Sequence, residues 1–113
     1  MLNIYHNPRC KKSRAALQYL IDRNLKFEII DYIKEGINEI QLKLLLAKLH
    51  KTPQEVIRTQ EDIYKKRFKG KSFNDDEWIK ILVEFPNLIQ RPIIGKNHSA
   101  IWGDPVENLE TFL

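Results

Sequence analysis

At 113 residues, 42% of them apolar, the chain is long enough for one hydrophobic core and too short for a second domain. Its single cysteine excludes an internal disulfide framework and any resolving thiol within the chain, and it points to a reducing compartment, the cytosol. The formal charge is +4, no apolar run approaches the ~20 residues of a membrane span, and the N-terminus is too soon interrupted for a signal peptide, so a soluble protein is expected.

Leu2 to Tyr5 reads as a short strand. Ser13 to Arg23 reads as a helix, with Ala16, Leu17, Leu20 and Ile21 on one face of a 3.6-residue period. Phe27, Ile29 and Ile30 form a second strand ending near Asp31-Tyr32, and strand, helix and strand make a βαβ unit with a right-handed crossover and parallel strands. The middle is helical. Asn38 caps a helix running through Leu49, with Ile40, Leu44 and Ala47 expected on its buried face and Leu45 and Leu46 widening it. Thr52-Pro53-Gln54-Glu55 is a capping-box start for a short helix carrying Val56, Ile57 and Arg58. Asn74 or Asp75 caps another, in which Trp78, Ile79, Ile81 and Leu82 pack inward until Pro86 ends it. Pro92-Ile93-Ile94 then reads as a strand, Gly95 to His98 as a turn, and Ala100-Ile101-Trp102 as its hairpin partner. Asp104 is placed as N-cap and Pro105 as first residue of a last helix to Leu113. The order βαβ, helices, ββα is that of an α/β, thioredoxin-like mixed sheet with a central helical insertion at about 38–86, the whole chain 1–113 being one domain.

Cys10 closes the run Tyr5-His6-Asn7-Pro8-Arg9-Cys10, where the first strand gives way to the first helix. Unpaired backbone N–H groups and the positive end of the helix dipole favour a thiolate there. Arg9, Lys11, Lys12, Arg14 and His6 are expected to lower the thiol pKa further. Ser13 makes the segment a CxxS, which cannot close its own disulfide; its hydroxyl, one turn along, is expected to hydrogen-bond the thiolate. The densest basic run, Lys65 to Lys71, holds one aromatic, Phe68, and is followed by Asp75, Asp76 and Glu77, so it reads as a solvated helix end and not a nucleic-acid platform. His50 and His98 with one cysteine show no metal-ligand spacing.

The segment from Ile4 to Cys10 with Ser13-Arg14, Arg58 in the central helices, and Asn87 to Ile94 before the hairpin together resemble the glutaredoxin-type arsenate reductase family over essentially the whole chain. The resemblance implies that Cys10 attacks arsenate, that Arg58 and Arg91 hold the oxyanion, and that Pro92 is a cis-proline beside the site. From their places beside the thiol, His6, as a charge tuning it more than a base, and Ser13 join Cys10 as candidate catalytic residues, and Arg14 joins the arginines as a candidate substrate-binding residue. No bound cofactor is implied; glutathione and glutaredoxin are the expected co-substrates, an external thiol resolving the adduct on a monomeric, cytoplasmic enzyme. The chain departs from the family pattern at Asp104, where the family carries a third arginine: either a helix cap turned away from the pocket, or a site in which Lys96 or His98 substitutes, or one whose substrate is not arsenate. Two alternatives stand beside this reading. One is an Spx-like regulator that binds RNA polymerase, against which Ser13 argues because such proteins carry a CxxC switch; the other is a glutaredoxin-like deglutathionylating protein that does not act on arsenate.

Overall fold

A computed structural model describes residues 1–113. Strand β1 (Leu2–Tyr5) leads through the Cys10 loop into helix α1 (Lys11–Asp22), followed by β2 (Phe27–Ile30) and the short α2 (Tyr32–Glu35). Helices α3 (Glu39–Leu49), α4 (Asp62–Arg67) and α5 (Asp75–Glu84) follow, with 3-10 turns at Pro53–Val56 and Pro86–Leu88. Strands β3 (Ile93–Lys96) and β4 (Ser99–Trp102) and helix α6 (Asn108–Phe112) close the chain.

The chain folds into two compact units, Met1–Gly36 with Arg91–Leu113, and Ile37–Gln90, so the inserted segment is slightly longer than the expected 38–86. In the first unit the sheet order is β2-β1-β3-β4. β1 pairs parallel with β2 and antiparallel with β3, which forms a hairpin with β4. This mixed sheet is the expected thioredoxin-like one. Its register aligns Ile4, Ile94 and Ile101 across neighbouring strands, hence on one face. Ile4, Ile94, Ala16 and Leu20 of α1, and Leu109 of α6 form the buried cluster there. Each fully buried Ile or Leu in it contributes about 1.5–3 kcal/mol of hydrophobic stabilisation. The cluster fixes α1 against β1, and therefore fixes the loop between them.

Helix α1 begins two residues before the expected Ser13, with Cys10 as its N-cap, and Ile21, expected on its buried face, is exposed. The hairpin turn narrows to Asn97 and His98, because Gly95 and Lys96 remain in β3; Asn97 takes the positive φ of 54° that such a tight turn demands. α6 starts at Asn108 with Glu107 at its N-cap, so Asp104 does not cap it as expected. Residues 104–107 form turns instead, closed by the Asn108 N–H on the Pro105 carbonyl.

In the inserted unit, the expected caps at Asn38 and Asn74 are present, each with a reciprocal capping box through Gln41 or Glu77. α3 buries Leu42, Leu45 and Leu46, whereas Ile40 is 72% and Leu44 59% exposed and Ala47 is exposed too. The expected face was rotated: apolar residues occur all round this helix, so periodicity alone could not select one stripe. α5 buries Trp78, Ile79 and Leu82 as expected, and Trp78 joins Phe68, Phe73 and Phe85 in edge-on aromatic contacts. The basic run around Phe68 forms the end of α4 and the loop after it, where Lys65, Lys66 and Arg67 complement the helix C-terminus.

Candidate active site

The loop from β1 to α1 is built by hydrogen bonds that its own sequence supplies. Asn7-Pro8-Arg9-Cys10 is a β-turn with proline at its second position, closed by the Cys10 N–H on the Asn7 carbonyl at 2.9 Å. The Asn7 side-chain oxygen accepts the Arg9 N–H at 3.0 Å. His6 extends the β1–β2 pairing through its N–H to the Ile30 carbonyl. Arg14 ties the turn to α1 by donating from Nη1 to the Pro8 carbonyl at 3.0 Å.

Beneath this turn lies a buried polar relay. Ser13, with 0% exposure, accepts the Asn7 N–H at 3.0 Å and sits 2.6 Å from His6 Nδ1. A hydroxyl carries one proton and two lone pairs, so Ser13 accepts the Asn7 N–H and shares one further hydrogen bond with His6 Nδ1, whose direction follows the imidazole tautomer. Burial lowers the His6 pKa, with the Asp31 carboxylate opposing and Arg14 adding to the shift. His6 is therefore a neutral imidazole near pH 7 and not the positive charge expected from the sequence. The expectation for Ser13 is corrected as well: its hydroxyl is committed to Asn7 and His6, and it is the Ser13 backbone N–H that acts on the Cys10 sulfur.

Cys10 is half-buried at the N-cap of α1, and no side chain caps that end. Burial pushes the thiol pKa up. The Ser13 N–H, the Arg91 guanidinium and the Lys12 N–H outweigh it by stabilising the thiolate, and the net shift is downward. The low pKa was expected; the source of charge differs. Arg91, 7% exposed and two residues before β3, is the cation in direct contact, whereas Arg9, Lys11 and Arg14 are exposed. Arg91 is placed by the cis Arg91-Pro92 bond, by Trp102 Nε1 donating to the Arg91 carbonyl at 3.3 Å, and by the Gly103 N–H on the Pro92 carbonyl at 2.8 Å. Gly103 lets the chain approach closely there: a Cβ would lie 2.6 Å from Ile94 Cδ1 and 3.2 Å from Pro92 Cγ, so those side chains would have to shift.

Thus Cys10, His6, Ser13, Arg14, Arg91 and Pro92 converge at one end of the sheet. Arg58 lies in the inserted unit, where it pairs with Glu61 through Nη2 at 3.4 Å and its N–H donates to the Leu88 carbonyl. Two features went unnoticed in the sequence. Asn7 organises the whole turn, which Asn-Pro before a cysteine could have signalled. Asp104 forms an ion pair with Lys12 Nζ at 3.1 Å, a long-range contact with no local signature. Chemically, the arrangement offers a nucleophilic sulfur with helix N–H donors and a buried guanidinium beside it, all suited to a tetrahedral anion. No group of three or more His, Cys, Asp or Glu side chains is placed to hold a metal, and no helix is long and apolar enough to cross a membrane.

Comparisons with known proteins place the chain in a family. The ArsC family model matches residues 5–112. Arsenate reductase of Neisseria meningitidis is 33% identical over 99% of this chain and 97% of its own length. The YfgD protein of Escherichia coli K12 is 34% identical over 96% of this chain and 92% of its own. The solved arsenate reductase of Vibrio cholerae superposes with a TM-score of 0.93 at 33% identity, covering 99% of this chain and 97% of that one. With its thioredoxin-like sheet and its cysteine at the head of α1, the chain belongs to the ArsC family.

Proposed function

We propose that the protein is a cytosolic monothiol oxidoreductase that reduces arsenate at Cys10 with electrons from glutathione and glutaredoxin. The observation that carries this reading is the Cys10 sulfur itself, held below its ordinary pKa by two helix N–H groups and the buried Arg91 guanidinium. The full-length relatives that bear the name arsenate reductase support it.

The thiolate donates an electron pair to As(V); an S–As bond forms and an arsenate oxygen leaves, protonated, as water. Reduction to As(III) takes two electrons, which oxidise two thiols to one disulfide. The chain has one cysteine, so both thiols come from outside; water cleaves the S–As(III) bond, arsenite is released and the Cys10 thiolate is regenerated. The helix N-terminus and Arg91 hold the oxyanion and Arg14 supplies charge at the rim; Arg58, which the resemblance offers as a further guanidinium, is paired with Glu61 in the inserted unit. Ser13 and neutral His6 keep the Asn7–Cys10 turn in place.

The test is the pH dependence of Cys10 alkylation with and without arsenate and glutathione. A low pKa with protection by arsenate is the expected result. A low pKa with protection by glutathione alone would replace arsenate reduction by a glutaredoxin-like, deglutathionylating role, a second reading favoured by the carboxylate of Asp104 beside the site. An ordinary thiol pKa would overturn both.

A further inference from the structure

We propose that Trp102 is a positioning residue for the cation of the Cys10 site: its indole N–H, at a strand end that the Asn108 side chain holds from behind, fixes the backbone of Arg91 and so keeps the Arg91 guanidinium on the sulfur and on the oxyanion bound there. The proposal rests on the reading of Arg91 as that cation, and it names what holds the cation in place.

The need for such a tie follows from where the strand ladder stops. β3 begins at Ile93, which pairs with Trp102 on the edge strand β4. Pro92, just before it, has no N–H to offer a neighbour. The Pro92 carbonyl still accepts the Gly103 N–H at 2.8 Å, but the Arg91 carbonyl lies beyond the last ladder pair, and Trp102 reaches it through Nε1 at 3.3 Å. The two carbonyls that follow the Arg91 Cα are thus bound by consecutive residues, Trp102 and Gly103. Asn108, the first residue of α6, brackets that pair: its Nδ2 donates to the Trp102 carbonyl at 3.1 Å and to the Asp104 carbonyl at 3.4 Å.

Burial is a poor account of an indole at this position, because Trp102 is 37% exposed. What tryptophan adds to phenylalanine is one N–H donor, and that donor is spent on Arg91. Arg91 is itself buried, and its guanidinium stabilises the Cys10 thiolate. A group that must meet both the sulfur and a bound anion tolerates little displacement; a misplacement of about 1 Å at a reacting centre costs on the order of a hundredfold in rate.

Trp102→Phe removes the N–H and keeps a ring on the strand. Alkylation of Cys10 by iodoacetamide, a neutral reagent, is followed across the thiol titration. Below the midpoint the rate is expected to fall about threefold while the high-pH plateau holds, the mark of a titration moved upward. Asn108→Ala, which leaves the indole in place, is expected to act in the same direction by about twofold. In an Arg91→Ala background neither substitution is expected to move the profile further, because both act through that side chain. A profile that neither variant moves, one that moves equally at all pH values, or one that moves again with Arg91 gone would overturn the proposal. Should Trp102→Phe fail to fold, Asn108→Ala decides alone. Arg91→Ala by itself separates the proposal from the reading beneath it. If it leaves the low-pH rate unchanged, Arg91 is not the cation of the site and both fall; if it lowers that rate and Trp102→Phe does not, the positioning role alone falls.

Discussion

Helix α1 and helices α3 and α5 start in opposite ways. In the inserted unit, Asn38 and Asn74 spend their side-chain oxygens on the N–H of the third helical residue, and Gln41 and Glu77 return the bond to the cap's own N–H. These are closed, self-sufficient ends. At α1 the cap position holds a cysteine, no side chain closes the end, and the first turn contains no acidic residue. The N–H groups there remain available to whatever anion occupies the position, first the thiolate and then a bound oxyanion. One set of helix ends stabilises the fold; the other has given up a cap, worth about 1 kcal/mol, for a reactive sulfur.

Replacing the sulfur breaks the contrast most sharply. Cys10→Ser puts a good capping residue at the head of α1, so turnover with glutathione and glutaredoxin is expected to fall to background while thermal stability holds or rises by about 0.5 kcal/mol. Calorimetry beside the arsenate assay checks both. The same variant separates the regulator alternative, since polymerase binding that survives loss of both thiol and turnover would favour an Spx-like role.

Arg91 comes next. It is the buried cation of the site, so Arg91→Lys, which keeps charge but loses the planar fork, is expected to lower turnover on the order of a hundredfold and to move the Cys10 pKa upward. A pH series of alkylation rates measures the second effect independently of substrate. Turnover near that of the wild type would show that the helix N–H groups suffice alone.

The Ser13 relay is the structural counterpart. Ser13→Ala leaves the buried Asn7 N–H without its acceptor and His6 Nδ1 without its hydroxyl partner, at a cost of about 1–3 kcal/mol in urea denaturation. The same relay sets a pH dependence. His6 binds a proton less readily folded than unfolded, so between its depressed folded pKa and ~6.5 the unfolded chain carries more protons and stability rises with pH. Its contribution is complete above ~6.5 and lost as pH falls through the folded pKa. His6→Gln, unable to titrate, should flatten that slope.

Much of this was legible in the sequence. The βαβ start, the hairpin, the capping boxes and the place of Cys10 follow from local rules of period, turn and cap, and the site residues of the sheet-bearing unit come from those rules and from the family resemblance. What was misread depends on packing at a distance. The buried face of α3 is chosen by its neighbours and not by its own pattern. The partner of Asp104 is Lys12, far away in sequence, so a plausible local cap was assigned where an ion pair exists. Ser13 was expected to serve the sulfur because it lies one turn away, whereas the buried imidazole that pairs with its hydroxyl arrives from the end of β1.

The smallest effect belongs to the closed ends. Asn74→Ala removes an oxygen that accepts the Glu77 N–H at 2.8 Å, and it leaves Glu77 still able to reach the N–H of residue 74, so half of the box survives. The expected loss is about 1 kcal/mol of stability, with the Cys10 alkylation rate and its pH dependence unchanged. Asn74→Asp should recover that loss, because a carboxylate at this end also meets the helix dipole. If Asn74→Ala instead slowed Cys10 alkylation, the two kinds of helix end would be energetically coupled, and the division between a stabilising set of caps and a reactive one would fail.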